Sequence, residues 1–232
     1  MASYKEIHGI KVQYRDSDAT AVEGDVWYNA TTGKLKMYSA VGAWASGNAL
    51  NTGRDAMASI GIQTAAMGAA GYITDVQTVV EEYDGTSWTE KADVNTARRL
   101  PGGAGTTTAG MIFGGLIPPP ADLGVTETWN GTSWTEVADL NTGRYMGGGS
   151  GIQTSFLCYG GATPSPTVNT EDWDGVSWTE VANLSTARNG LAYGSQGTTA
   201  SCLATGGSNP GPTYHVNTEE FTKPQNVQII TD

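Results

Sequence analysis

Apolar positions along this chain come in short bursts bounded by Gly, Thr, Ser and Asx residues, and helix formers do not run in series. That pattern predicts many short β-strands joined by tight turns. Two kinds of burst alternate. The first is small and glycine-rich: GIQTAAMGAAGY from Gly61, GTTTAGMIFGG from Gly105, GIQTSFLCYGG from Gly151 and GTTASCLATGG from Gly197. The second, QTVVEEY, VTETW and TVNTEDW, is built of Thr, Val and aromatics, the residues that suit a pleated, half-buried surface. Each of these runs ends in Asp84-Gly85, Asn130-Gly131 or Asp174-Gly175, a pair suited to a type I′ hairpin with positive φ at both central residues. Small residues in the first burst suit innermost strands crowded around an axis.

The bursts repeat. SWTEKADVNTAR from Ser87 returns as SWTEVADLNTGR from Ser133 and SWTEVANLSTAR from Ser177, with a divergent copy, AWASGNALNTGR, from Ala43. The marker tryptophans Trp44, Trp88, Trp134 and Trp178 are spaced by 44, 46 and 44 residues, and an Arg follows each of them ten residues later. Such a period marks a repeat architecture of four-stranded modules. The N-terminal stretch EIHGIKVQY, GDVWYN, GKLKMY and GAWAS supplies strands for a divergent module over residues 1–50. Regular modules of about 44–46 residues fill 51–232, and QNVQIITD serves as a final strand. The expected fold is therefore one all-β domain over 1–232, a β-propeller of five four-stranded blades; the alternative is four blades, the last closed by the strand Ala43 to Ser46, with an N-terminal arm.

Charge then narrows the partners. The 232 residues carry a net charge of −11 with no long run of Lys or Arg, so nucleic-acid binding would lack its main electrostatic term. The N-terminus reads as neither a signal peptide nor a membrane span, which points to a soluble chain without membrane insertion. Cys158 and Cys202, both in apolar glycine-flanked runs, read as small buried hydrophobes.

The doublets Gly114-Gly115, Gly160-Gly161 and Gly206-Gly207, the aromatic after each of them and the marker Trp resemble the kelch repeat, although one doublet reads Ala70-Gly71. EGDVWYNATTGKLKMY resembles a segment of tailed-bacteriophage virion and tail-fibre proteins, and the NTGR/NTAR modules resemble kelch-like repeat proteins of marine phages. This resemblance implies a non-enzymatic virion protein: a fibre, decoration or receptor-binding component assembled in the host cytoplasm. It implies other virion proteins and a host surface glycan or receptor as partners, homo-oligomeric assembly, and no cofactor or metal. The alternative function is a soluble carbohydrate-binding or carbohydrate-active propeller.

In a four-stranded blade, the inter-blade loop and the loop between strands two and three share one face. The candidate binding residues on it are Arg54, Arg98, Arg144 and Arg188, with Pro118, Pro119, Pro120, Tyr214 and His215 from the proline-rich loops. Each Arg has two readings: a fork presented to an anionic ligand near the axis, or a partner for Glu81, Glu127, Glu171 or Glu219 that locks adjacent blades. The marker tryptophans are read as packing between blades. A kelch-type copper site would need several His ligands, and only His8 and His215 exist. The Asp16-Ser17-Asp18 turn has the oxygens for a hard cation but no EF-hand-like continuation, and reads as a solvated turn.

Overall fold

A computed structural model describes residues 13–18, 25–38, 44–119, 121–191, 198–209 and 214–223. Among them there are strands and no helix. The chain divides into two compact units, Met1–Ser46 and Gly47–Asp232.

The first unit departs from the expected four-stranded module. Its sheet has β1 (Gln13–Arg15), β2 (Val26–Asn29) and β3 (Lys34–Met37), and β1 runs parallel to β2. Trp44 lies in no strand and is wholly exposed. Asp18 accepts hydrogen bonds from Trp27 Nε1 at 3.1 Å and Asn29 Nδ2 at 2.7 Å, and pairs with Lys36, so its carboxylate is committed to side chains. The Lys36 ammonium first, then the Asn29 amide, holds this carboxyl below its usual range. Residues 6–12 of the expected first strand lie outside the described residues.

The second unit follows the repeat. Its first module is β4 (Ala58–Ile62), β5 (Ala65–Ala69), β6 (Val80–Tyr83) and β7 (Trp88–Glu90), hydrogen-bonded in chain order as an antiparallel meander. The second is β8 (Gly102–Gly105), β9 (Gly110–Phe113), β12 (Thr126–Trp129) and β13 (Trp134–Glu136), with the small hairpin β10 (Leu116–Ile117) and β11 (Ala121–Asp122) inserted. The third is β14 (Gly148–Ile152), β15 (Ser155–Tyr159), β16 (Thr170–Trp173) and β17 (Trp178–Glu180). Described residues of the fourth form β18 (Ser201–Thr205) and β19 (Thr218–Thr222); the expected final strand at 225–232 lies outside them.

The first strands, β4, β8 and β14, lie side by side and carry little but Gly, Ala, Ser and Ile. The approach is close: a Cβ built on Gly103 would lie 3.0 Å from that of Ala58. Successive modules then bury their faces against each other. Ile112 of β9 joins a cluster with Ile60, Met67 and Val80 of the first module, while Met111 and Phe113 of the same strand join Phe156 and Trp178 of the third. Alternation along one strand thus serves two cores.

Each hairpin closes with an aromatic pair, Tyr83 against Trp88, Trp129 against Trp134 and Trp173 against Trp178, with ring centroids 5.2 to 5.4 Å apart. The turns differ from the expected two-residue type I′. The register Trp129↔Trp134 leaves four loop residues, and only the glycines have positive φ. Asp84, Asn130 and Asp174 keep ordinary backbone angles; each Oδ1 accepts the N–H groups two and three residues on, at 2.8 to 2.9 Å. This Asx turn satisfies amides that a two-residue hairpin would place in the ladder.

The marker tryptophans reach into the preceding module. Trp178 Nε1 donates to Thr126 Oγ1 of the second module at 3.0 Å. Trp134 occupies the equivalent place over the first module, but there the residue matching Thr126 is Val80, and the buried Trp134 Nε1 has no hydrogen-bond partner among the described residues. Val80→Thr should therefore stabilise the protein by about 1 kcal/mol, where a buried Val-to-Thr change ordinarily destabilises. Thr126→Val should cost at least as much, and urea denaturation of the two variants checks the pair.

Candidate functional site

The segment between modules, read as N-T-[AG]-R, is where the repeat concentrates its polar residues. In the second module Arg98 Nη2 donates to Glu127 Oε1 at 2.6 Å, Nη1 to the carbonyls of Gly114 and Val125, and Nε to that of Thr96. The carboxylate is filled from the other side by the backbone N–H groups of Asn95 and Thr96 and by Asn95 Nδ2, which also reaches the Trp134 carbonyl. Arg54 with Glu81, Arg144 with Glu171 and Arg188 with Glu219 repeat the pairing. All four guanidinium side chains are 0 or 1% exposed.

The sequence left two readings for these arginines, and the geometry separates them. Nothing of the forks faces solvent, because their donors are spent on Glu and on carbonyls of the glycine doublet, and the reading of Arg54, Arg98, Arg144 and Arg188 as ligand forks is corrected to that of buried clamps. Nor do they line the cavity of about 520 Å³ beside the inner strands, whose walls are Ser59, Gly103, Ala104, Gly149, Ser150 and other uncharged residues.

Backbone bonds extend each clamp to its neighbour. The N–H groups of Gly71, Gly115 and Gly161 donate at 2.9 Å to the carbonyls of Arg98, Arg144 and Arg188, the arginines of the following modules. This explains the doublet. A Cβ on Gly114, at φ +63°, would sit 2.4 Å from the Arg144 carbonyl oxygen. Ala70 occupies the matching position in the first module with φ 60°, a conformation costly for a residue with a side chain.

Beyond the clamps the modules diverge. The residue after each Arg forms an antiparallel bridge with the residue after each doublet: Asp55 with Tyr72, Arg99 with Leu116, Tyr145 with Ala162 and Asn189 with Ser208. The loops between strands two and three are closed by one recurring bond, from the N–H of Gln77, Leu123, Thr167 or His215 to the carbonyl of the doublet's second glycine. Inter-module segments and loops thus meet on one face, as expected from the strand directions.

Between those fixed points lie residues 72–76, 116–122, 162–166 and 208–214, two segments of five residues and two of seven, which do not repeat one another in sequence. Pro118 and Pro119 are exposed on the second loop, and Pro120 lies outside the described residues. Tyr214 is 81% exposed, whereas His215 is half-buried with its backbone closing the fourth loop. Arg99 was missed as a candidate. Its Cζ lies 5.0 Å from the centroid of the Tyr72 ring, a cation–π contact on the loop face. Its signal in the sequence was that it breaks the repeat, standing beside the repeated Arg98 where other modules have Asp55, Tyr145 and Asn189.

Both cysteines are free and buried, and desolvation pushes the Cys158 thiol up to about 11, which leaves it protonated near neutral pH. Among the described residues no three His, Cys, Asp or Glu side chains are grouped as a metal site. No protein-family model matches this chain, and no curated protein is recognisably similar to it.

Removing one partner of a clamp leaves a buried charge alone. Arg98→Ala or Glu127→Ala should cost about 3–5 kcal/mol. Arg188→Ala should cost less, because Glu219 is 22% exposed and water can replace its partner. Chemical denaturation reads both. The pH response follows from the same groups. Burial alone would raise Glu81 and Glu219, but for Glu81 the Arg54 hydrogen bond and for Glu219 the Ser185 amide, joined by Arg188, outweigh it and depress both. Backbone amides depress Asp84 and Asp174. Depressed carboxyls contribute stability that is present above their unfolded pKa and lost as pH falls. Thermal midpoints should therefore hold flat near neutrality and drop once pH passes below about 4.3.

Proposed function

We propose that the protein is a non-enzymatic binding component of a bacteriophage virion, a fibre, decoration or receptor-binding part, whose modules from Gly47 onward are blades of a kelch-like β-propeller. Four blades fit better than five, since the parallel β1–β2 pair of the first unit has no counterpart in the meanders. The contact surface is the loop face, and its partners are another virion protein or a host surface glycan or receptor.

One observation carries this reading. Four loops are closed by the same backbone bond at the same place, yet between those bonds they come in two lengths, five and seven residues, and differ in sequence and chemistry, while the hairpin turns at the opposite end are nearly copies of one another. A scaffold that holds loop ends constant and lets the intervening residues vary is the usual arrangement for recognition. The pinned ends and the prolines lower the entropy lost on docking. Glu81, Glu127, Glu171 and Glu219 are spent on the clamps, so these four supply no free carboxylate pair for hydrolysis.

The test combines location and contact. Cryo-electron microscopy and mass spectrometry of purified particles should find the chain on the virion with the loop face outward. Arg99→Ala combined with Tyr214→Ala should weaken binding to host cells at least tenfold with the thermal midpoint within a few degrees of wild type, whereas Thr132→Ala in an opposite hairpin should leave binding unchanged. Absence of the chain from particles would overturn the virion role, and equal effects of the two changes would overturn the choice of face.

A further inference from the structure

The chain has 23 Asp and Glu against 12 Lys and Arg, so a cation without a carboxylate is the unexpected case. Seven of the twelve lie from Gly47 onward, and six of these seven have an acidic partner: the four clamp arginines, Lys91 with Glu82 and Lys223 with Asp172. Arg99 is the exception. Its side chain forms no hydrogen bond with a described residue, and its Nε is enclosed without an acceptor, while the two Nη groups are neither enclosed nor bonded. What holds the guanidinium is the ring of Tyr72, 5.0 Å from Cζ to centroid. A partly desolvated charge with no counter-charge costs the fold free energy, which a bound anion would return.

The bridges explain how Arg99 escapes the fate of Arg98. Tyr72 with Val76, Gln77 with Arg98, Arg99 with Leu116 and Leu116 with Asp122 join into one antiparallel strip across the first two modules. Successive side chains of an extended segment point to opposite sides. Arg98 therefore turns into its clamp, and Arg99 turns away from it, onto the side shared by Tyr72, Leu116 and Asp122. Its main chain is fixed there by a bond from its N–H to the Leu116 carbonyl at 3.1 Å and one back at 2.8 Å. Asp122 does not consume it: burial alone raises the Asp122 carboxyl, with no lowering by a cation.

We propose that Arg99, held on Tyr72, is a subsite for the carboxylate of an acidic sugar. The inference rests on the loop face as the contact surface and names the chemistry that face selects. The free Nη pair is a planar two-donor edge that matches the two oxygens of a carboxylate, and the ring beneath fixes its plane. A single positive charge suits a monoanion better than a phosphate dianion. No second unpaired Lys or Arg from Gly47 onward is there to receive a run of acidic side chains, which sets an acidic peptide aside. Elsewhere on the loop face Thr74, Tyr145 and Tyr214 offer the hydroxyl and ring surface on which sugars dock. The net charge of −11 repels anions at range, so selection lies in the contact and not in steering.

Nitrogen-resolved NMR of the arginine side chains in the full-length protein tests it, with methyl glucuronoside as the probe. The acid should move the Arg99 Nε–H signal, identified by its loss in Arg99→Lys, with half-saturation at about millimolar concentration. The methyl ester of the same sugar keeps the ring and loses the charge, and should bind about tenfold more weakly. Saturation transfer to the sugar reads the variants: Arg99→Ala should weaken the acid about tenfold, and Tyr72→Ala about threefold. An acid that leaves the Arg99 signal in place, an ester that binds as well as the acid, or methyl glucoside 6-phosphate binding more tightly than the acid overturns the proposal. Attachment to host cells separates its failure from that of the loop face. Attachment lost in Arg99→Ala with no response to the acid keeps the face and overturns the acidic ligand. Acid binding with attachment unchanged in Arg99→Ala keeps the subsite and overturns the face.

Discussion

The buried pairing of one arginine with one glutamate per module is the interaction on which the repeat depends. The link from one meander to the next must cross the end of a sheet, where loop and doublet carbonyls face inward with no strand to pair them. A guanidinium solves this because it is planar, always charged and carries five donors. It reaches the doublet carbonyl, the carbonyl before strand three and the glutamate together, and the glutamate in turn collects the amides of the Asn-Thr pair. A lysine would offer the charge without the fork. A buried ion pair is a poor source of net stability against an apolar substitute. Its value here is register, since each clamp fixes which loop sits on which strand and so carries the spacing from one module to the next.

Much of this was legible in the sequence, and for physical reasons. A period near 45 residues survives only where the same packing recurs, so the meanders, the hairpin positions and the aromatic pairs followed from it. The pairing of each Arg with its Glu was one of two readings, and burial decided between them. A sequence shows that a residue recurs but not whether it faces water. The turn type was misread because Asp-Gly and Asn-Gly suit a two-residue hairpin as well as a four-residue Asx turn, and the choice hangs on where Thr86 and Ser87 place their amides. The N-terminal sheet was misread for a different reason: its strands lie outside the period, and pattern alone does not distinguish a parallel pair from a meander.

The candidate surface was harder to read because what matters there is what does not repeat. Periodicity draws the eye to Arg98, which the fold has consumed, and away from Arg99, whose guanidinium stands over Tyr72. In a repeat protein the scaffold residues are those that recur at every period, and residues available for recognition are those that interrupt the pattern within a segment whose ends are held. Tyr214 and Pro118 satisfy that condition as well.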